Sequence, residues 1–203
     1  MNRAVHGTMP GYSSSMDAVW IDVPEYFLEE RRRFGHDKKD ELWEGVLHMS
    51  PSPTPVHNKF AVNLYNALNK IGPRHGLVAY PDATSIYAPD LDPLSWRIPD
   101  ASLVRPEQVS ERGLEGAVLA VEVLSPHDES RSKFAFYARV GLSEVWVVNP
   151  KTREPEIYTL VDGAFALLSP VDGVHRSPLL GITFELVAGP KLLLRDGDSV
   201  TEL

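Results

Sequence analysis

Apolar and polar positions alternate in short stretches along most of the chain, and they settle into a long helical period only once. Between Thr54 and Ile71 the residues Val56, Phe60, Leu64, Ala67, Leu68 and Ile71 recur three or four positions apart, predicting a helix with one apolar stripe. Thr54 suits its N-cap, Pro55 its first position and Gly72-Pro73 its end. A shorter stripe of Phe134, Tyr137 and Ala138 predicts a second helix over residues 129–140, stopped by Gly141. Pro24 opens a third, running through Phe34, with Arg31-Arg32-Arg33 at the end where cations favour the helix dipole.

The strand signals are more numerous. Residues 41–49, ELWEGVLHM, alternate enough for a hairpin with Gly45 at its turn. Stretches 77–80, 84–88, 101–104, 117–124 and 144–149 are strand-like, and 156–160 joins 164–168 through Asp162-Gly163, a strong hairpin signal. Residues 184–187 and 191–194 suggest further antiparallel strand. Prolines concentrate between elements, at 51–55 and in a loop over 89–100. Residues 1–18 hold three consecutive serines and no periodicity, and predict a flexible tail ahead of a single domain over 19–203. The order of elements predicts an α/β (α+β) fold with a mixed sheet and a β-rich C-terminal extension.

Composition narrows the chemistry. The 203 residues are 43% hydrophobic and 24% charged, enough for a full core. No cysteine is present, which removes disulfides, thiolate nucleophiles and cysteine metal sites. No apolar run is long enough to span a bilayer and the N-terminal residues carry no secretion pattern, so a soluble cytoplasmic protein is expected. Lys and Arg number 20 against 28 Asp and Glu, a net charge of −8. Proteins that coat nucleic acid as a rule carry a basic surplus, so a nucleic-acid partner would require a local basic patch.

Several motifs are absent: G-x-S-x-G, the P-loop, G-x-G-x-x-G and H-E-x-x-H. The pairs His36-Asp37 and His127-Asp128 could suggest an all-helical metal phosphohydrolase, but at most three helices are predicted.

Three residues stand out. Glu122 lies in the otherwise apolar stretch AVLAVEVL, where an ionised side chain is costly unless it is paired or metal-bound; an edge strand with a wet outer face is the plainer alternative. Asp100 follows Pro99 at the entry to the preceding strand, and neighbouring strands stand about 4.8 Å apart, so two carboxylates on one face can share a divalent ion. Lys133 lies early in the helix that follows Glu122, and a strand–helix–strand crossover brings such a helix start over the strand's carboxyl end. A solvated helix lysine would look the same. His57 near the start of the long helix and Glu41 before the hairpin are weaker candidates, and Glu44 has a similar claim to Glu41.

The strings ELWEGVLHMSPSPTPVHNKF, RIPDASLV, LAVEVLSPHDESRSKFAFYARVGLSEVWVVNP and EIYTL resemble the PD-(D/E)XK nuclease superfamily. More narrowly, they resemble a bacterial restriction-endonuclease family whose lysine has migrated to the following helix. The resemblance covers about residues 41–160 and implies a restriction-endonuclease-like core, αβββαβ, with a central mixed sheet flanked by helices. It implies Asp100 and Glu122 as metal ligands, with Glu41 and His57 at the remaining site positions. The superfamily's usual lysine position, two after the acid, holds Leu124 here, and Lys133 is the matching residue.

The activity implied is Mg²⁺-dependent hydrolysis of DNA phosphodiesters, with Mn²⁺ as a substitute and a homodimer as the assembly. The alternative is a catalytically weak or inactive nuclease-like module that binds nucleic acid or protein. Arg131, Lys133, Arg139, Lys59 and Arg97 are the expected source of a basic surface around the site.

Overall fold

The computed structural model describes residues 19–20, 24–50, 53–88, 95–126, 128–189 and 191–203. The expected tail over 1–18, residues 51–52 and 89–94 of the proline-rich segments, and His127 lie outside them.

A six-stranded sheet carries the site. Its strands are β1 (Val78–Pro81), β2 (Ala101–Val104), β3 (Leu119–Val123), β4 (Glu144–Val148), β5 (Pro155–Val161) and β6 (Ala164–Leu167), and they lie side by side in chain order. Every neighbouring pair is antiparallel except β3 and β4. Those two run parallel because the chain between them crosses back through a helix instead of turning tightly. Strands β3 and β4, LAVEV and EVWVV, are buried at every position, as expected for strands covered on both faces. Glu122 is therefore in the middle of the sheet, and the edge-strand alternative falls.

Among the described residues, α1 (Glu25–Phe34) and α2 (Pro55–Ile71) have the expected extents, and Thr54 caps α2 by accepting from the His57 N–H. Phe60, Leu64 and Leu68 of α2 cover one face of the sheet together with Leu103, Val121 and Trp146. The other face is covered by Phe136 and Tyr137 of α3 (Phe134–Arg139), packed with Ala120, Val145 and Val147.

Two helical expectations need correction. Val56 does not join the buried stripe of α2 but is 58% exposed, on the wall of a cavity instead of against the sheet. The helix expected over 129–140 is split into a 3₁₀ turn, Ser130–Lys133, and the six-residue α3. Asp128 accepts from the N–H groups of Ser125 and Ser130, which favours a tight turn, and Ser-Arg-Ser has little helical preference to oppose it. Phe136, more than Phe134, is the buried phenylalanine of this segment.

A second sheet places Val46–His48, Glu41–Trp43, Trp96–Arg97, Ile86–Tyr87 and Leu114–Glu115 in that order, with Val19–Trp20 on its outer edge. The expected hairpin turns at Glu44 and Gly45, both at positive φ, as a two-residue hairpin turn requires. A third sheet, Val174–Arg176, Thr183–Val187, Lys191–Asp196 and Ser199–Glu202, forms the C-terminal extension. It sends Phe184, Leu192 and Leu194 into the α2-side core. Among the described residues no helix is long and apolar enough to cross a membrane.

Candidate active site

The pairing of β2 with β3 sets the site. Ala101 lies opposite Val121 and Ser102 opposite Ala120, so the same register carried one step further sets Asp100 across from Glu122. Residues directly opposite in an antiparallel pair project to the same face. Asp100 Oδ2 also accepts a 2.7 Å hydrogen bond from the Val123 N–H, which fixes its carboxylate at the carboxyl end of β3.

Glu122 is 4% exposed, and both its oxygens are occupied. Oε1 accepts a 2.5 Å hydrogen bond from the Tyr137 hydroxyl. Oε2 lies 3.1 Å from Lys133 Nζ and 3.5 Å from Ser130 Oγ, which donates to it. Burial pushes the Glu122 carboxyl up to about 8; Lys133 pulls it back, while Asp100 and Glu41 add to the rise.

Lys133 sits where the 3₁₀ turn passes into α3. Its ammonium is 2.8 Å from Glu41 Oε1 and 3.1 Å from Glu122 Oε2, and it points at the Ile98 carbonyl 3.4 Å away. Burial acts to lower its pKa, but the two carboxylates outweigh burial and raise it, so the group is a fixed cation. Position 124 holds a half-buried leucine that joins the α3-side core, and Lys133 supplies the ammonium from the neighbouring element.

Glu41 is not a surface residue: it is 3% exposed. Its Oε1 accepts from the Ile98 N–H at 2.8 Å and its Oε2 from Trp43 Nε1 at 2.6 Å. With Lys133 added, these contacts leave it an anchor for the ammonium. His57 reaches the end of β3 from α2. Its Nε2 donates to the Val123 carbonyl at 2.8 Å and lies 3.5 Å from Asp100 Oδ2, while the buried Nδ1 has no partner. Burial acts to lower its pKa, but the hydrogen bond and charge of Asp100 outweigh that and raise it.

All five residues, Glu41, His57, Asp100, Glu122 and Lys133, line one cavity of about 620 Å³. Two carboxylates on one face suit a hard divalent cation, since Mg²⁺ commonly takes one or two protein carboxylates and keeps the rest of its shell as water. Among the described residues no group of three or more His, Asp and Glu is arranged to hold a metal ion.

Tyr137 and Ser130 belong to the site and escaped the sequence reading. Tyr137 was detectable in principle, four positions after Lys133 and so on the same helical face. Ser130 carried no signal. His48 is a further lining residue: its ring stacks on Trp43 at 3.8 Å and its Nδ1 lies 3.2 Å from Glu129 Oε2.

The expected basic surface takes a different form. Arg97 is 2% exposed, its guanidinium 4.4 Å from the Trp43 ring and 4.5 Å from the Phe136 ring. Arg131 makes a bidentate pair with Glu156, and Arg139 pairs with Glu44. Lys59 is exposed on α2 but does not line the cavity. Arg97 and Lys133 are thus enclosed in the fold, while Arg131 and Arg139 are held in surface ion pairs.

A family model described as "Uma2: Putative restriction endonuclease" matches residues 23–188. Among solved structures, the chain is similar to a protein described as a putative nuclease belonging to DUF820 from Anabaena variabilis ATCC 29413. The TM-score is 0.56 at 16% identity, over 70% of this chain and 83% of that one, a likeness of fold. No curated protein matches the sequence.

Proposed function

Because the chain belongs to the Uma2 family of putative restriction endonucleases, we propose that it hydrolyses DNA phosphodiester bonds with Mg²⁺, or Mn²⁺ in its place, at Asp100, Glu122 and Lys133. The observation that carries this reading is the Lys133 ammonium held between Glu41 and Glu122, beside a second carboxylate in register across the sheet.

Asp100 and Glu122 would hold the cation. Bound there, magnesium supplies a water of lowered pKa and neutralises phosphoryl oxygens. Lys133 is too basic to take a proton. It donates N–H to the developing oxyanion or orients the attacking water, and its place is set before substrate arrives. Glu41 is a positioning residue that acts through Lys133. His57 steadies the Asp100 end of β3 through Nε2. A homodimer, presenting two such sites to two strands, completes the reading.

The test is a cleavage assay on defined DNA with magnesium, with manganese and with chelator, beside Glu122→Gln. Cleavage that needs the metal and disappears in the variant is expected. If no DNA is cut in any metal, the hydrolytic reading fails and the fold serves as a binding module.

A further inference from the structure

The cavity is unlike a groove for a continuous duplex. Its volume, about 620 Å³, falls in the range of small-molecule pockets, about 300–1,000 Å³. Met49, Pro53, Val56, Leu124 and Pro126 make much of its wall, around the carboxylates. Val56, 58% exposed, leaves an uncovered aliphatic side chain on that wall. Duplex DNA carries one negative charge per about 1.7 Å of axis and is held by rows of phosphate-neutralising cations. Of the three lysines lining the cavity, Lys39 is paired with Asp82, Lys133 with two glutamates, and Lys151 is exposed at the rim. Six acids line it as well, Glu41, Asp82, Asp100, Glu122, Asp128 and Glu129. Such a wall suits a ligand with one or two charges and a substantial apolar face.

The Trp43–His48 stack supplies the matching surface. The two rings lie 3.8 Å apart at 14°. Each is held from outside the stack, Trp43 by its hydrogen bond to Glu41 and the Arg97 guanidinium, His48 by Glu129. A prearranged flat aromatic pair beside a phosphate-directed site is how proteins hold bases of single strands or of nucleotides swung out of a duplex.

We propose that the cavity takes one unpaired DNA nucleotide, its base against the outer His48 face of the Trp43–His48 stack and its phosphate at Asp100, Glu122 and Lys133. This rests on the nuclease reading of those residues, and it names the substrate as a strand end, a single strand or an extruded nucleotide.

The test is binding to the intact chain with magnesium present, followed by tryptophan fluorescence. The probes are 2′-deoxyadenosine 5′-monophosphate, 2-deoxyribose 5-phosphate, a single-stranded oligonucleotide and its blunt duplex. The base-bearing monophosphate is expected to bind about tenfold or more tightly than the sugar phosphate, the scale of one base-stacking contact. The single strand is expected to bind more tightly than the duplex. His48→Ala should lose about tenfold for the base-bearing probes and leave the sugar phosphate unchanged, while His48→Phe should keep the base contribution. Equal binding of the two monophosphates, a duplex bound as tightly as the single strand, or a silent His48→Ala would each overturn the proposal. Failure of the cleavage assay with these binding differences intact would remove the hydrolytic reading and leave the nucleotide pocket standing.

Discussion

The ammonium of Lys133 lies 2.8 Å from the Glu41 carboxylate, so the first strand of the N-terminal hairpin is ionically tied to the turn that opens α3. Both groups are nearly buried, at 12% and 4% side-chain exposure. The same ammonium reaches Glu122 at 3.1 Å and joins the two carboxylates into one charge cluster.

Removing the cation should therefore cost stability as well as rate. Lys133→Ala leaves the buried Glu41 and Glu122 carboxyls without their cation, and breaking a buried pair typically costs about 3–5 kcal/mol. Urea unfolding of Lys133→Ala is expected to show a loss on that scale, and Lys133→Ala with Glu41→Gln to recover part of it, because one stranded charge has gone. An additive double variant would mean that the two residues do not act as a pair.

Under conditions where Lys133→Ala is folded, its hydrolysis should fall by about 3 kcal/mol or more in transition-state stabilisation, the scale of one lost preorganised donor. Magnesium binding, measured by calorimetry, should persist. Lys133→Arg is not expected to restore the rate, since a planar fork cannot sit between Glu41 and Glu122 as a compact ammonium does. A wild-type rate for Lys133→Ala would move catalysis to His57.

Glu122 sets a pH dependence in the metal-free protein. Its carboxyl rises from an ordinary 4.5 to about 8 in the fold, so between those values the native state binds more protons than the unfolded state. Stability from this group is full below about 4.5 and is lost as pH rises through 8. Thermal unfolding in chelator should show a falling midpoint from pH 5 to 8, and Glu122→Gln should flatten that slope. An unchanged slope in the variant would place the titration elsewhere.

Glu144, 1% exposed, has a purely structural task. It accepts from Trp146 Nε1 at 2.9 Å, Ser177 Oγ at 2.7 Å and the Leu179 N–H at 2.5 Å, clasping the C-terminal sheet to β4. Glu144→Ala leaves three buried donors unsatisfied and should destabilise by about 3 kcal/mol or more. Hydrogen exchange should then show residues 177–203 losing protection first. If protection falls evenly across the chain, Glu144 is not the local clasp.

Much of the frame was legible from local pattern alone. The stripe of α2, its Thr54 cap, the two-residue turns at Glu44-Gly45 and Asp162-Gly163 and the apolar runs of β3 and β4 depend on neighbours a few positions away. A charged residue in an apolar run is also a local signal, which is why Glu122 stood out. Two of the two-residue strands, Trp96–Arg97 and Leu114–Glu115, carry no period to detect and form only by pairing with other strands.

Tertiary structure decided which candidates meet and in what state. Glu41 was a weak candidate until Ile98, Trp43 and Lys133 closed over it, and Arg97 looked like a surface cation until Trp43 and Phe136 enclosed it. Burial, charge coupling and ring stacking are sums over residues distant in the chain, and no local spacing encodes them. The sequence by itself determined most of the elements, marked Glu122 as out of place in an apolar run, and singled out Asp100 and Lys133 by their positions relative to it. Only the antiparallel register of β2 on β3, and the crossover through α3, turned those three positions into one site.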